Sequence, residues 1–146
     1  MTDDSRLGGE LTLAIFELNG QMLAAGESIA RPVGITVAWW QVLGAVLHEP
    51  LSAAGIARKM GITRQAVQRV VKRLVDQNML AYVRNPAHKR SPLLTPTEAG
   101  RSAVARIRPE QSAFSRRIAE AFGRPELQHL VSELRRLSEV IEKTQP

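Results

Sequence analysis

The chain has 146 residues, of which 44% are apolar and 23% charged, a composition typical of one globular domain, 1–146, with its own hydrophobic core. The absence of cysteine excludes disulfides, thiolate metal ligands and a cysteine nucleophile, while the net charge of +6 favours an anionic partner such as nucleic acid. The N-terminus lacks the apolar core of a signal peptide, and the apolar run at 37–47 is shorter than the roughly 20 residues that span a bilayer, so we expect a cytoplasmic protein with no membrane partner.

Two helices are predicted in the first third of the chain. Apolar residues recur at helical spacing over 10–29, where Asn19-Gly20 indicates a local bend or an early end. Thr36 is a suitable N-cap for a second helix, which should end before Pro50 because the residue preceding a proline disfavours helical angles. The second helix is apolar on nearly every face, so we expect it in the middle of the fold.

A tight helix-turn-helix is predicted next. Ser52 is placed to cap a third helix, and Gly61 to end that helix in the left-handed conformation. Only one residue later, Thr63 can cap a fourth helix, which extends to about residue 77. The apolar side chains of this helix follow the i, i+3, i+4, i+7 spacing of a buried stripe: Val67, Val70, Val71 and Leu74.

A β-hairpin is predicted after the fourth helix. A β-prone run, LAYVR, and the short segment LLT flank the turn-rich stretch NPAHKRSP, which would form an exposed tip. Thr95 is expected to cap the following helix, with Pro96 at the first helical position and Glu98 completing a capping box.

Two long helices complete the chain. Pro109 interrupts the first of them, so we expect a kink or a break there, and Gly123 and Pro125 separate it from the last helix. The helices at both ends of the chain carry more apolar surface than a helix-turn-helix alone can cover. A symmetric homodimer would bury this surface, and packing within one chain is the alternative.

Basic residues concentrate around the helix-turn-helix. The segment 58–90 contains nine Lys or Arg and one acid, Asp76, giving it a charge of +8 and leaving −2 for the rest of the +6 chain. A local basic surface of this kind is what binding to phosphates requires. On the fourth helix, the side chains opposite the valine stripe are polar, namely Gln65, Arg69 and Lys72, and this face is flanked by Gln68 and Arg73. In a major groove, Arg pairs with guanine and Gln with adenine. The alternative is that this face of the helix is an ordinary solvated basic surface with no role in binding.

Taken in order, these motifs resemble a MarR-family winged helix-turn-helix over residues 34–101. The matching stretches are GIT, LSAAGIARKMGITRQAVQRVVKRLVDQNML, the wing NPAHKRSPLL and the exit LTPTEAGR. The resemblance implies a mainly α fold with a small β-hairpin wing (α+β). It places a DNA-binding lobe at 34–95 and helical dimerisation regions at 7–30 and 96–143.

The resemblance also implies a function. Members of this family are homodimers that bind pseudo-palindromic operators in double-stranded DNA, and many release the DNA when a small aromatic or phenolic effector binds. For this chain we therefore expect a transcription regulator, a repressor, with DNA contacts from the fourth helix and the wing: Thr63, Arg64, Gln65, Gln68, Arg69, Lys72, Arg73, Lys89 and Arg90. The family's wing commonly has an Asp where this chain has His88, so the bracing carboxylate is missing and Lys89 and Arg90 remain alternatives for the wing contact.

Three residues are candidates for binding a small ligand. Phe16, Trp39 and Trp40 lie where an effector cavity could open beside the first helix, although core packing also accounts for them, and adjacent helical residues cannot line one small pocket equally. The three histidines are His48, His88 and His129, and they lie in three different elements. None has an acidic partner at the spacing of metal ligands, so we expect no metal site.

The sequence contains no phosphate-cradling loop, nucleophile elbow or paired carboxylates, which predicts a protein without cofactor or enzymatic activity. The competing hypothesis is a winged-helix interaction module whose outward cations bind an acidic protein surface instead of DNA.

Overall fold

The computed structural model describes residues 2–146 as a mainly α fold with one small antiparallel sheet, which confirms the expected fold class. The chain forms two compact units, one ending at Ile107 and the other beginning at Arg108. The elements follow in the order α1 (Asp3–Ala30), a 3-10 helix (Arg31–Val33), α2 (Val37–Ala45), β1 (Leu51–Ser52), α3 (Ala53–Met60), α4 (Arg64–Asp76), β2 (Leu80–Val83), β3 (Leu93–Pro96), α5 (Glu98–Phe122) and α6 (Arg124–Lys143).

The predicted N-caps of the central helices are confirmed. The hydroxyl of Thr36 accepts from the amide of Trp39, that of Ser52 from Gly55, and that of Thr63 from Ala66, each at 3.1 Å. Each bond satisfies one of the amides that a helix leaves free in its first turn. These short side chains therefore set where α2, α3 and α4 begin.

Two helix ends differ from the prediction. Helix α1 begins at Asp3, capped by Thr2, and continues through Asn19-Gly20 without a break, because a glycine costs a helix interior only about 1 kcal/mol. Helix α2 ends at Ala45, before the predicted stop at Pro50, and its last turn tightens as Leu47 donates to the carbonyl of Gly44.

The predicted capping box at Thr95 is wrong. Thr95 and Pro96 belong to β3, where they pair with Ala81 and Leu80, and the N-cap of α5 is Thr97, whose hydroxyl accepts from the amide of Gly100 at 3.2 Å. Pro96 lies at the end of β3, beyond the residues that pair with β1, a position where a missing amide proton is tolerated.

Of the kink or break expected at Pro109, the break does not occur, because α5 continues through this residue to Phe122. A proline in a helix interior removes one hydrogen bond to the carbonyl four residues earlier, and the bonds on either side remain.

The hairpin is part of a three-stranded sheet with the order β1-β3-β2. Strand β1, which the sequence did not predict, pairs Leu51 with Leu94 and Ser52 with Leu93. In the same register Tyr82 of β2 lies across from Leu94. The sheet thus ties the start of α3 to the base of the wing.

The core of the first unit is built from α2, α3, α4, the sheet and the start of α5. Its largest fully buried side chains are aliphatic: Leu43, Ile56, Leu74, Leu80, Leu94, Ile107, Val42, Val46 and Val67. Helix α4 is followed, after its C-cap Gln77, by Asn78, which has a left-handed φ of 58°, as the sequence predicted. The Asn78 carbonyl then accepts from the hydroxyl of Thr97 at 2.6 Å, so the end of α4 is fixed to the start of α5.

Candidate nucleic-acid interface

Helix α4 is held by one face and exposes the other. Val67, Val71 and Leu74 are buried in the core, as the stripe predicted, whereas Val70 is only partly buried against it. Every predicted contact residue of this helix and its N-cap is exposed: Thr63, Arg64, Gln65, Gln68, Arg69, Lys72 and Arg73. The cap matters for this surface, because Thr63 satisfies the Ala66 amide and leaves the remaining first-turn amides free to bind an anion.

The cations of this surface are electrostatically unpaired. All ion pairs within residues 2–146 lie on α1, α5 or α6, and none involves α4 or the wing. The side-chain amine of Lys59 on α3 donates to the carbonyl of Ala45 at 3.3 Å, so this cation is directed to the protein itself. The other cations of the basic segment remain available to an anionic partner.

The wing tip is braced by a residue that sequence reasoning missed. The side-chain amide of Asn85 donates to the carbonyl of Ser91 at 2.8 Å, and its side-chain oxygen accepts from the amide of Ala87 at 3.1 Å. Asn85 therefore spans the loop from which a bracing carboxylate is missing at His88. The signal was the Asn85-Pro86 dipeptide, because Asn side chains often bond the backbone two residues on in a turn.

A groove lies between α4 and the wing, and we call it the wing groove. It has a volume of about 270 Å³ and is lined by Ala53, Arg64, Gln68, Val71, Tyr82, Arg90, Ser91, Pro92 and Leu94. It brings Arg90 to the same cavity as Arg64, whereas Lys89 is exposed elsewhere on the tip. Tyr82, which was not predicted as a site residue, lines this groove and is 57% exposed.

A second groove lies on the other flank of α4, and we call it the Trp39 groove. It has a volume of about 530 Å³ and is lined by Trp39, Arg69, Lys72, Arg73, Asp76 and Gln77. Trp39 therefore shares a cavity with three cations of the exposed face of α4. This position could not be read from the periodicity of α2, because it depends on how α2 packs against α4.

The neighbouring indole belongs to a third cavity, the Trp40 groove, between α1, α2 and α3. This cavity of about 410 Å³ is lined by Asn19, Met22, Leu23, Gly26, Val37, Trp40, Gln41, Gly44 and Met60. Phe16 does not line it and is 67% exposed on α1. The three candidate ligand residues thus do not meet in one pocket.

Other kinds of site have no support in the part of the chain that the structure describes. His48 follows α2, His88 lies in the wing tip and His129 on α6, and no cluster of three metal-ligating side chains occurs among residues 2–146. None of the helices in that range is long and apolar enough to cross a membrane.

The sequence of this chain is similar to those of known proteins. The sequence pattern of the MarR family matches residues 33–91. The uncharacterised protein Rv2011c of Mycobacterium tuberculosis is 36% identical over 136 residues, which cover 93% of this chain and 95% of that protein.

Among solved structures, the repressor CouR bound to a 23-mer DNA duplex has a TM-score of 0.73 and 22% identity, over 94% of this chain and 99% of that one. BpsR of Bordetella bronchiseptica, whose DNA binding is regulated by 6-hydroxynicotinic acid, has a TM-score of 0.75 and 22% identity, over 88% of this chain and 98% of that one. At these identities the two structures show that the fold is shared.

Proposed function

Because the chain belongs to the MarR family of winged helix transcription regulators, we propose that it binds an operator in double-stranded DNA and represses transcription from it. The main support for this proposal is the arrangement of the two faces of helix α4. One face is anchored by Val67, Val71 and Leu74, and the opposite face presents Gln, Arg and Lys side chains without ion-pair partners in the described residues. A helix anchored in this way can enter a major groove and read base edges.

Within this proposal, the contacts divide between bases and backbone. Gln65, Gln68 and Arg69 are the candidates for base edges, and Arg64 is a candidate for a phosphate at the helix N-terminus. We assign the wing contact to Arg90 over Lys89, because Arg90 lines the wing groove together with Arg64.

The test is a titration of labelled duplex DNA, followed by anisotropy at two salt concentrations. The duplex is taken from the DNA flanking the protein's own coding region, with a scrambled duplex as the reference. Binding should be sequence-selective and weaken steeply with salt. Arg69→Gln should cost about 1–3 kcal/mol of binding free energy and relax selectivity, as expected for a base-reading arginine.

The matched control is Arg117→Gln, which removes an exposed cation from α5, outside the winged helix, and should leave selectivity unchanged. Equal affinity for the two duplexes, or binding that ignores salt, would contradict the proposal. Retention of an acidic protein in place of DNA would favour the interaction module.

We propose further that the protein acts as a homodimer. No residue of the second unit is buried, and its helices expose large apolar side chains: Phe122, Leu130, Val131, Leu134, Val140 and Ile141. Helix α1 likewise exposes Leu7, Leu11, Leu13, Ile15, Phe16, Leu18 and Met22. Apolar surface of this extent favours association of copies.

Sedimentation measurements test the homodimer. The wild-type protein should sediment as a dimer, and Leu134→Glu should shift it toward the monomer and weaken operator binding. A wild-type chain that stays monomeric at micromolar concentration would refute this part of the proposal.

A small aromatic effector is the last part of the proposed function. The support is the Trp40 groove, whose volume and largely apolar walls suit a small ligand, together with the regulation of BpsR by 6-hydroxynicotinic acid. If that compound is an effector here, it should change the Trp40 fluorescence and lower DNA affinity, and Trp40→Ala should abolish both responses. An unchanged anisotropy titration in its presence would exclude this compound.

A further inference from the structure

The Trp39 groove is basic, and four of its six lining residues are charged. Arg69, Lys72 and Arg73 contribute three positive charges, and Asp76 contributes the one acid, so the lining carries +2. None of these four side chains forms an ion pair within residues 2–146. The groove therefore attracts an anion, and its charges are not neutralised by the protein.

The indole of Trp39 adds a hydrogen-bond donor to this groove. Trp39 is partly exposed, no hydrogen bond from its indole nitrogen is formed within the described residues, and none of their buried side-chain nitrogen or oxygen atoms lacks a partner. The indole N–H is consequently accessible to solvent. Because an indole can donate but not accept, an anionic oxygen suits it.

The position of the groove favours an extended anion over a small one. The groove follows α4 over two turns, from Arg69 to Gln77, and lies on the opposite flank from the wing groove. A helix with its side chains is about 10–12 Å wide and fills a major groove about 12 Å wide, so a phosphate backbone runs along each flank of a reading helix.

We propose that the Trp39 groove binds the sugar–phosphate backbone of DNA, with the indole N–H of Trp39 donating to a phosphate oxygen that Lys72 and Arg73 neutralise. This inference rests on the proposed DNA binding, and it assigns Trp39 to the nucleic acid and not to an effector. Trp39 and helix α4 then have complementary roles. The helix contacts the bases, and the groove, by binding the backbone, fixes the depth and the angle at which the helix enters the major groove.

Since Trp39 and Trp40 are the only tryptophans, each can be made the sole fluorescent indole of the full chain. In Trp40→Phe the signal comes from Trp39, and in Trp39→Phe it comes from Trp40. Acrylamide quenching is measured for both variants, free and saturated with the duplex, with saturation judged by anisotropy. DNA should lower the quenching constant of Trp39, because a bound backbone shields the indole from the quencher, and leave that of Trp40 nearly unchanged.

The affinities provide a second measurement. Trp39→Phe keeps an aromatic ring but loses the N–H, and should bind DNA about two- to tenfold more weakly, the range expected for one lost hydrogen bond. Lys72→Gln should reduce the slope of log K against log salt by about 0.9, as for one phosphate contact. Lys143→Gln, on an exposed cation at the end of α6, should not change that slope.

If either substitution unfolds the chain, the native sequence labelled with fluorotryptophan gives the same information, because only the resonance of Trp39 should shift on addition of DNA. DNA binding that leaves Trp39 as accessible as before, or a small aromatic anion that protects Trp39 while DNA does not, would overturn the proposal. Absence of DNA binding by the wild-type chain is a distinct result, in which the proposed function itself fails and the inference with it.

Discussion

Gly100 lies at the closest approach between α5 and the turn that ends α4. It is buried, and a Cβ built on it would overlap the carbonyl oxygen of Met79 and lie 3.1 Å from Cδ2 of Leu43. That carbonyl cannot move freely, because it accepts from the amide of Thr97 at 3.0 Å. Gly100→Ala therefore forces a helix away from a backbone atom that is itself held by a hydrogen bond.

The size of the effect follows from two opposing contributions. Overpacking by one methyl costs about 1–3 kcal/mol, and the upper part of this range applies because the clash is with backbone. The alanine recovers about 1 kcal/mol of helix propensity. The expected loss in the free energy of unfolding is therefore about 2 kcal/mol. For a chain of this length, that corresponds to a fall in melting temperature of about 4–8 °C.

The assay is urea unfolding followed by circular dichroism, with all variants at the same protein concentration because association shifts apparent stability. The matched control is Gly44→Ala in α2, where a Cβ would meet no atom within 4 Å. This control should gain about 0.5–1 kcal/mol from helix propensity alone. If Gly100→Ala is as stable as the wild type, or if both alanines stabilise, the close approach of α5 to Met79 is refuted.

Three smaller changes test other parts of the first unit. Thr63→Ala removes the cap of α4 and should cost about 1 kcal/mol in unfolding free energy, whereas Thr63→Ser should restore it; equal stability of the two variants would contradict the role of the hydroxyl. Asn78→Gly should be neutral or slightly stabilising at φ 58° and Asn78→Val destabilising by about 1–2 kcal/mol, so thermal melts that rank Val at or above Gly would argue against the left-handed turn. Asn85→Ala should loosen the wing, raise hydrogen exchange at the amide of Ala87 and leave the melting temperature almost unchanged; full protection of that amide would show that the loop needs no brace.

Local chemistry determined much of the fold. The N-caps Thr36, Ser52 and Thr63 act within three residues, so the sequence identifies them directly. The left-handed positions of Gly61 and Asn78 are local for the same reason. The valine stripe of α4 also fixes which of its side chains face outward, because a helix has a single period. The sequence alone therefore predicts the whole exposed face of α4.

Longer-range packing decided the remainder. Thr95 has a local capping pattern, with Glu98 three residues later, but pairing of Thr95 and Pro96 with β2 leaves the role to Thr97. The two-residue strand β1 has no pattern of its own and exists only because β3 lies beside it. Asn85 acts as a brace only because the loop returns to Ser91.

The candidate site shows the same division most clearly at Trp39 and Trp40. Their sequence positions indicate only that adjacent residues on a helix diverge. Tertiary structure placed Trp39 against the cations of α4 and Trp40 against α1 and Met60, so two similar side chains face different partners. A sequence determines the direction in which a side chain leaves its own helix, but what it meets depends on residues distant in the chain that only folding brings near.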